Sequence, residues 1–194
     1  HIGLHRFPPY LKFFSQRHPK LHLKINFIDS EQADHLLISG ELDIALTTLS
    51  HQSKPEIFQE LIWRDPLNFV VCDNHELAIK NQTCALTLTD LANYPAILPG
   101  TNTHTGKLIQ TLFHSQQQTL NTYIETNYLE TIKMMVSIGM GWAILPRTMI
   151  DKNLRGLQVT SDNPSRQLGY MIHQFRSLPN SATALIHTLK NHRP

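Results

Sequence analysis

The sequence predicts an α/β protein with enough alternating units for two largely parallel sheets. Three observations carry that prediction. Segments with apolar residues at helical spacing alternate along the chain with short apolar runs of strand length. The alternation restarts after about residue 85, as if a second sheet began there. Three junctions also share one grammar, an apolar strand, a hydroxyl or amide cluster, then an amphipathic helix: INFI-DS-EQADHLL, AILP-GTNTHT-GKLIQTLF and TYIE-TN-YLETIKMMV.

Phe7, Tyr10, Leu11 and Phe14 fall at i, i+3, i+4 and i+7, so the chain opens with a helix whose first turn holds Pro8 and Pro9. Pro19 follows it, and LHLKINFI alternates as a half-buried strand. ADHLLISG predicts a short helix closed by Gly40, and LDIALTTL the next strand. EIFQELIW and PLNFVVC predict two further strands divided by Arg64, Asp65 and Pro66. In the second half LTLTDLANY is a helical turn, AILP a strand, GKLIQTLF a helix and TYIET a strand. Leu129, Ile132, Met135 and Val136 form one helical stripe before Gly139 and Gly141, and Trp142-Ala-Ile-Leu is the strand after them. That order, helix before glycines, excludes a dinucleotide loop, which runs strand, glycine turn, helix. Irregular chain from Pro146 leads to a strand at LGYMIHQ and a last helix from about Ser181 to Lys190.

The bulk numbers narrow the function. The chain has 194 residues, 41% hydrophobic and 16% charged, which supports a core and argues against disorder. A formal charge of +2 without a basic run argues against nucleic-acid binding by this stretch alone. No apolar run reaches the ~20 residues of a membrane span, and no signal-peptide pattern opens the chain. Cys72 and Cys84 are too few for a disulfide framework and fit a reducing compartment as incidental thiols. His1 and His5 have metal-pair spacing but lack an acidic or cysteine partner, so neither a metal site nor a cofactor is expected. No nucleophile elbow or completed HExxH motif occurs.

The strand–helix junctions are the candidate site. In open α/β sheets they lie at the carboxyl ends of the strands, and a helix start offers N–H groups and partial positive charge to a small anion. Ser30, Thr103, Thr105 and Asn127 can add hydrogen bonds, and His104 lies in a loop expected to face a cleft. Asn127 with Glu130 has capping-box spacing, and Asp29 with Gln32 mimics it.

With these elements placed, the chain resembles the effector-binding domain of a LysR-type transcriptional regulator over nearly its whole length. The resemblance rests on FPPYLKFFSQRHPKLHLKI, SGELDIALTT, NHELAIKN, LTLTDLANYPAIL and ETNYLETIKMMVSIGMGWAILP, in the family's order. It implies two Rossmann-like lobes joined by two crossing strands, similar to type 2 periplasmic binding proteins. Lobe I would comprise residues 1–64 plus 169–194 and lobe II residues 65–168. The family's first strand, with its Ser/Thr effector contact, and the amino-terminal winged helix-turn-helix lie outside this chain in that reading. Carried over by position, the family's effector contacts fall on Ser30, on Thr47 or Thr48, on Thr101, Asn102, Thr103, His104 and Thr105, and on Asn127.

The implied function is a cytoplasmic sensor that is not an enzyme. It binds a small-molecule effector, an anion or zwitterion held by neutral donors without arginine, and controls transcription by the parent protein. The family implies a homodimer, with the first helix around Tyr10 to Phe14 contributing, a tetramer in the parent, and DNA contact only through the amino-terminal domain. The alternative is a solute-binding receptor of a membrane transporter. An enzyme on the same scaffold would have only Asp29 and His104 to work with.

Overall fold

A computed structural model of the chain describes residues 2–50 and 54–192. Two compact units result: His1–Arg64 with Gln167–Pro194, and Asp65–Arg166.

In the first unit a π-helical turn at Ile2–Arg6 leads into α1 (Pro8–Arg17), where Pro8 and Pro9 occupy positions that need no backbone donor. A 3-10 turn at Ser30–Gln32 runs into α2 (Ala33–Ser39), which ends on Gly40 with φ of 82°. The exposed carbonyls of that helix end receive Arg176, whose Nη1 donates to Leu37 O at 2.9 Å and Nη2 to Ile38 O at 2.5 Å. Strand β1 (Ala45–Thr48) follows, and then the first part of β2 (Ile57–Val71).

The second unit takes up the rest of β2 and continues through α3 (Glu76–Lys80), α4 (Leu88–Ala92), β3 (Ala96–Leu98), α5 (His104–Ser115), β4 (Thr122–Glu125), α6 (Leu129–Ser137), β5 (Ala143–Pro146) and the two-residue β6 (Arg155–Gly156). Strand β7 (Ser165–His173) then returns the chain to the first unit, which α7 (Asn180–Asn191) closes.

Each unit has its own core. In the first, α2 and β1 bury Ala33, Leu37, Ala45 and Leu49 with Ile57 and Met171, while α1 packs Tyr10 and Phe14 on Leu185 and Leu189 of α7. Tyr10 and Phe14 of α1 are thus core residues: Tyr10 meets Trp63 edge-on at 5.4 Å and accepts its indole N–H at 3.1 Å. In the second unit the period of two along β3 and β5 divides the apolar residues between two faces. Ala96, Leu98, Trp142 and Ile144 face the layer of Ile109 and Phe113 from α5, and Ile97, Ala143 and Leu145 face Ile132 and Val136 from α6. Trp142 centres the first face, stacked on Phe113 at 5.6 Å, with its N–H donated to Tyr94 O at 3.1 Å.

Several expectations are corrected. The sheets are mixed rather than largely parallel. Strand β3 pairs parallel with β4, but β1 pairs antiparallel with β7, and β2 antiparallel with β5 and β6. Residues 57–71 form one 15-residue strand instead of two. Pro66 does not break it, because its ring is exposed and Leu67 resumes hydrogen bonding by donating to Pro164 O at 2.9 Å. The expected strand at 21–28 does not form, and Phe27 is exposed. Its alternation meets no partner strand among the described residues. Neither expected capping box at Asp29 or Asn127 forms. His1 of the histidine pair lies outside the described residues.

The glycine pair is structural. Gly139 at φ 86° ends α6, donating to Val136 O at 3.0 Å. Gly141 has φ of 157°, and a Cβ there would lie 2.3 Å from Pro95 O. At Gly139 an added Cβ would touch only Cys72 Sγ, at 3.6 Å. Gly141→Ala should therefore destabilise the chain by about 1–3 kcal/mol, and Gly139→Ala by about 1–2 kcal/mol through backbone strain alone. Urea unfolding midpoints of the two variants test that ranking.

A second prediction concerns acid. Lys80 donates to Asp90 at 2.6 Å and the Thr87 N–H donates at 2.8 Å, completing a capping box at α4. The Lys80 ammonium, then the backbone N–H, hold the Asp90 carboxyl down at about 2 from an ordinary 3.8. A depressed folded pKa stabilises fully above the unfolded value and is lost as pH falls through the folded one. Stability measured from pH 4 to pH 2 should fall less steeply in Asp90→Asn than in the wild type.

Candidate functional site

The loop from Pro99 to Thr105 gathers most of the candidate residues, and two glycines make it possible. Gly106 lies so close beneath Gly100 that a Cβ would sit 2.0 Å from Gly100 O. That approach places the Thr103 side chain against the loop it caps. Its Oγ1 donates to Gly100 O at 2.7 Å and accepts from Gly106 N at 3.0 Å, while Thr103 N also donates to Gly100 O at 2.9 Å. Thr103 is buried and its one hydroxyl proton is already used. It is the N-cap of α5 and holds the loop closed.

Asn127 is brought to the same loop by parallel pairing of β4 with β3. Its Oδ1 does not cap its own helix but accepts from Gly100 N at 3.1 Å. The amide NH2 therefore keeps its two donors, with no acceptor among the described residues. Thr126 Oγ1 lies nearer the start of α6, 3.4 Å from Tyr128 N. Thr101 and Asn102 are exposed at the turn, and His104 is half-buried in the first turn of α5. A Cβ on Gly100 would meet Asn102 Oδ1 at 2.6 Å and Glu125 Oε1 at 2.8 Å, so a carboxylate also borders the loop.

Thr105 is buried, and an arginine stands beside it. Arg166 Nη1 stands 3.4 Å from Thr105 Oγ1, and its Nε and Nη2 donate to Asp65 Oδ2 at 3.1 and 2.5 Å. Arg166 is 7% exposed and Asp65 fully buried. Nothing near either residue in the sequence signals this, because the pair is separated by 101 positions. Gly100 and Gly106 could have been read: glycines on both sides of TNTHT mark a loop needing close backbone approach.

The remaining candidates belong to the first unit. Ser30 begins the 3-10 turn before α2, half-buried, with Gln32 N donating to the backbone of Asp29. Thr47, opposite Gly169 in the β1–β7 pair, is 3% exposed, and its Oγ1 has no partner among the described residues. Thr48 is half-buried opposite Leu168.

A family model for the LysR substrate binding domain matches residues 1–194. The chain is 25% identical over 160 residues to a probable RuBisCO transcriptional regulator of Trieres chinensis, a match covering 79% of this chain and 51% of that protein. The chain spans about half the length of the curated relatives it matches. Among solved structures it is similar to the effector binding domain of QuiR in complex with shikimate, with TM-score 0.84 and 18% identity over 97% of this chain and 90% of that one. It is also similar to the Synechocystis PCC6803 CcmR regulatory domain in complex with 2-PG, with TM-score 0.81 and 21% identity over 95% and 91%. These likenesses establish the fold as the type 2 periplasmic-binding-protein-like one.

Because Thr103 holds the loop through three hydrogen bonds, two of them through its hydroxyl, Thr103→Val should cost about 1–2 kcal/mol in urea unfolding. Asn127→Ala leaves the buried Gly100 N without its acceptor and should cost about 1–3 kcal/mol.

Proposed function

The chain belongs to the LysR substrate binding domain family, and from that premise we propose that it senses a small anionic or zwitterionic metabolite for a parent transcriptional regulator. The observation that carries the anionic part is the polarity of the loop's unspent groups. Thr103 has used its proton and Asn127 its oxygen, so what remains is the Asn127 NH2 and the Thr105 O–H. A set of donors at a helix N-terminus suits a carboxylate or other oxyanion. The Glu125 carboxylate beside Gly100 favours a molecule that carries a cationic group as well. Ser30, Thr47 and Thr48 are proposed effector contacts of the first unit on the family's pattern, and for Thr47 on its orphaned hydroxyl. Thr101, Asn102 and His104 are proposed on the same pattern.

Binding can act only through different affinity for two arrangements of the protein. We propose that this difference reaches DNA through the parent protein's other domain, in a cytoplasmic homodimer or tetramer. The relatives named as transcriptional regulators favour this over a transport receptor, and the domain is not an enzyme. No helix among the described residues is long and apolar enough to cross a membrane.

The test is calorimetric and thermal titration of the chain with inorganic sulfate, inorganic phosphate, shikimate, benzoate and glycine, with putrescine as the cationic control. At least one anion or zwitterion should bind saturably, adding ~2.7 kcal/mol of stability at a hundredfold excess over its Kd. Asn127→Ala should weaken it about tenfold. Binding of putrescine alone would overturn the donor-lined reading.

A further inference from the structure

We infer that Arg166 is a positioning residue for the effector loop: it acts through Thr105, fixing that hydroxyl as a donor toward the bound anion. The inference rests on the reading of the loop as an anion site and adds a residue that no sequence pattern marks.

A guanidinium carries only donors, so in the Arg166–Thr105 contact the threonine oxygen must accept. A hydroxyl has one proton and two lone pairs. Once a lone pair faces Arg166, the proton turns elsewhere, and among the described residues no acceptor receives it. Thr105 is 8% exposed. The neighbouring hydroxyl shows the contrast. Thr103 gives its proton to Gly100 O, and nothing remains for a ligand.

Arg166 can impose this because it cannot move freely. Its Nε and Nη2 are both held on Asp65 Oδ2, and the residue is 7% exposed. Asp65 lies on β2 and Arg166 on β7, so two strands fix the guanidinium plane. A lysine at 166 would supply charge but no fork, and could not hold both partners in this geometry.

The experiment measures affinity of the full chain for the same sulfate, phosphate, shikimate, benzoate and glycine probes, in single and double variants. Thr105→Val removes the hydroxyl at constant shape, and Thr105→Ser restores it. Arg166→Gln is made together with Asp65→Asn, so that no uncompensated charge is left buried, and Arg166→Lys is the second variant should the pair fail to fold. Thr105→Val should weaken the best probe about tenfold, and Thr105→Ser should recover most of it. The Arg166 variants should weaken it several-fold in the wild-type background and leave it unchanged in the Thr105→Val background. Melting temperatures separate these losses from unfolding. If folded Arg166 variants bind as tightly as the wild type, the positioning role is wrong. If they weaken binding equally with Thr105→Val present, Arg166 acts directly and the inference fails. Absence of binding by the wild-type chain to all five probes would remove the anion-site reading itself, and this inference with it.

Discussion

A buried carboxylate and guanidinium, Asp65 and Arg166, hold the place where the chain enters the second unit and the place where it leaves. Either charge buried alone there would be costly, because an isolated charge loses far more hydration than a protein interior returns. Together they satisfy each other, and the remaining guanidinium nitrogen reaches Thr105. The neighbouring backbone follows the same alignment: Leu67 donates to Pro164 O, so β2 passes Pro66 without losing its course. One ion pair thus sets the relation of β2 and β7 within the second unit and anchors the first turn of α5.

The loop above that turn is shaped by small residues and then given its polarity by larger ones. Gly106 permits contact with Gly100 that no side chain would allow. Thr103 and Asn127 then close the loop from two directions, one with a hydroxyl and one with an amide oxygen. Closing the loop spends the Asn127 oxygen and the Thr103 proton and leaves the Asn127 NH2 over. Glu125 places negative charge at the rim of the same loop.

Local signals made much of this legible in the sequence. The stripe Leu129, Ile132, Met135, Val136 and the left-handed Gly139 define α6 within one turn of itself, and β3 and β5 are short apolar runs with no competing reading. What failed depended on partners far along the chain. Residues 21–28 alternate properly but find no strand to pair with. Pro66 is a breaker by local rule, yet an exposed ring and a donor-free position let β2 continue. Asn127 looked like the cap of its own helix because sequence spacing cannot show that Gly100 N lies 3.1 Å away. Arg166 was invisible for the same reason. Its carboxylate partner is 101 residues earlier.

The division of the chain also orders its assembly. The second unit is one uninterrupted stretch, Asp65–Arg166, with both of its apolar clusters inside it. The first unit is split: β1 finds its antiparallel neighbour only in β7, and Tyr10 and Phe14 find Leu185 and Leu189 only in α7. On a ribosome the inserted unit can fold while the amino-terminal segment still lacks β7 and α7. Contacts of such long sequence separation form late and slowly. Tyr10 and Phe14, core residues in the finished protein, therefore complete their packing only after α7 has emerged.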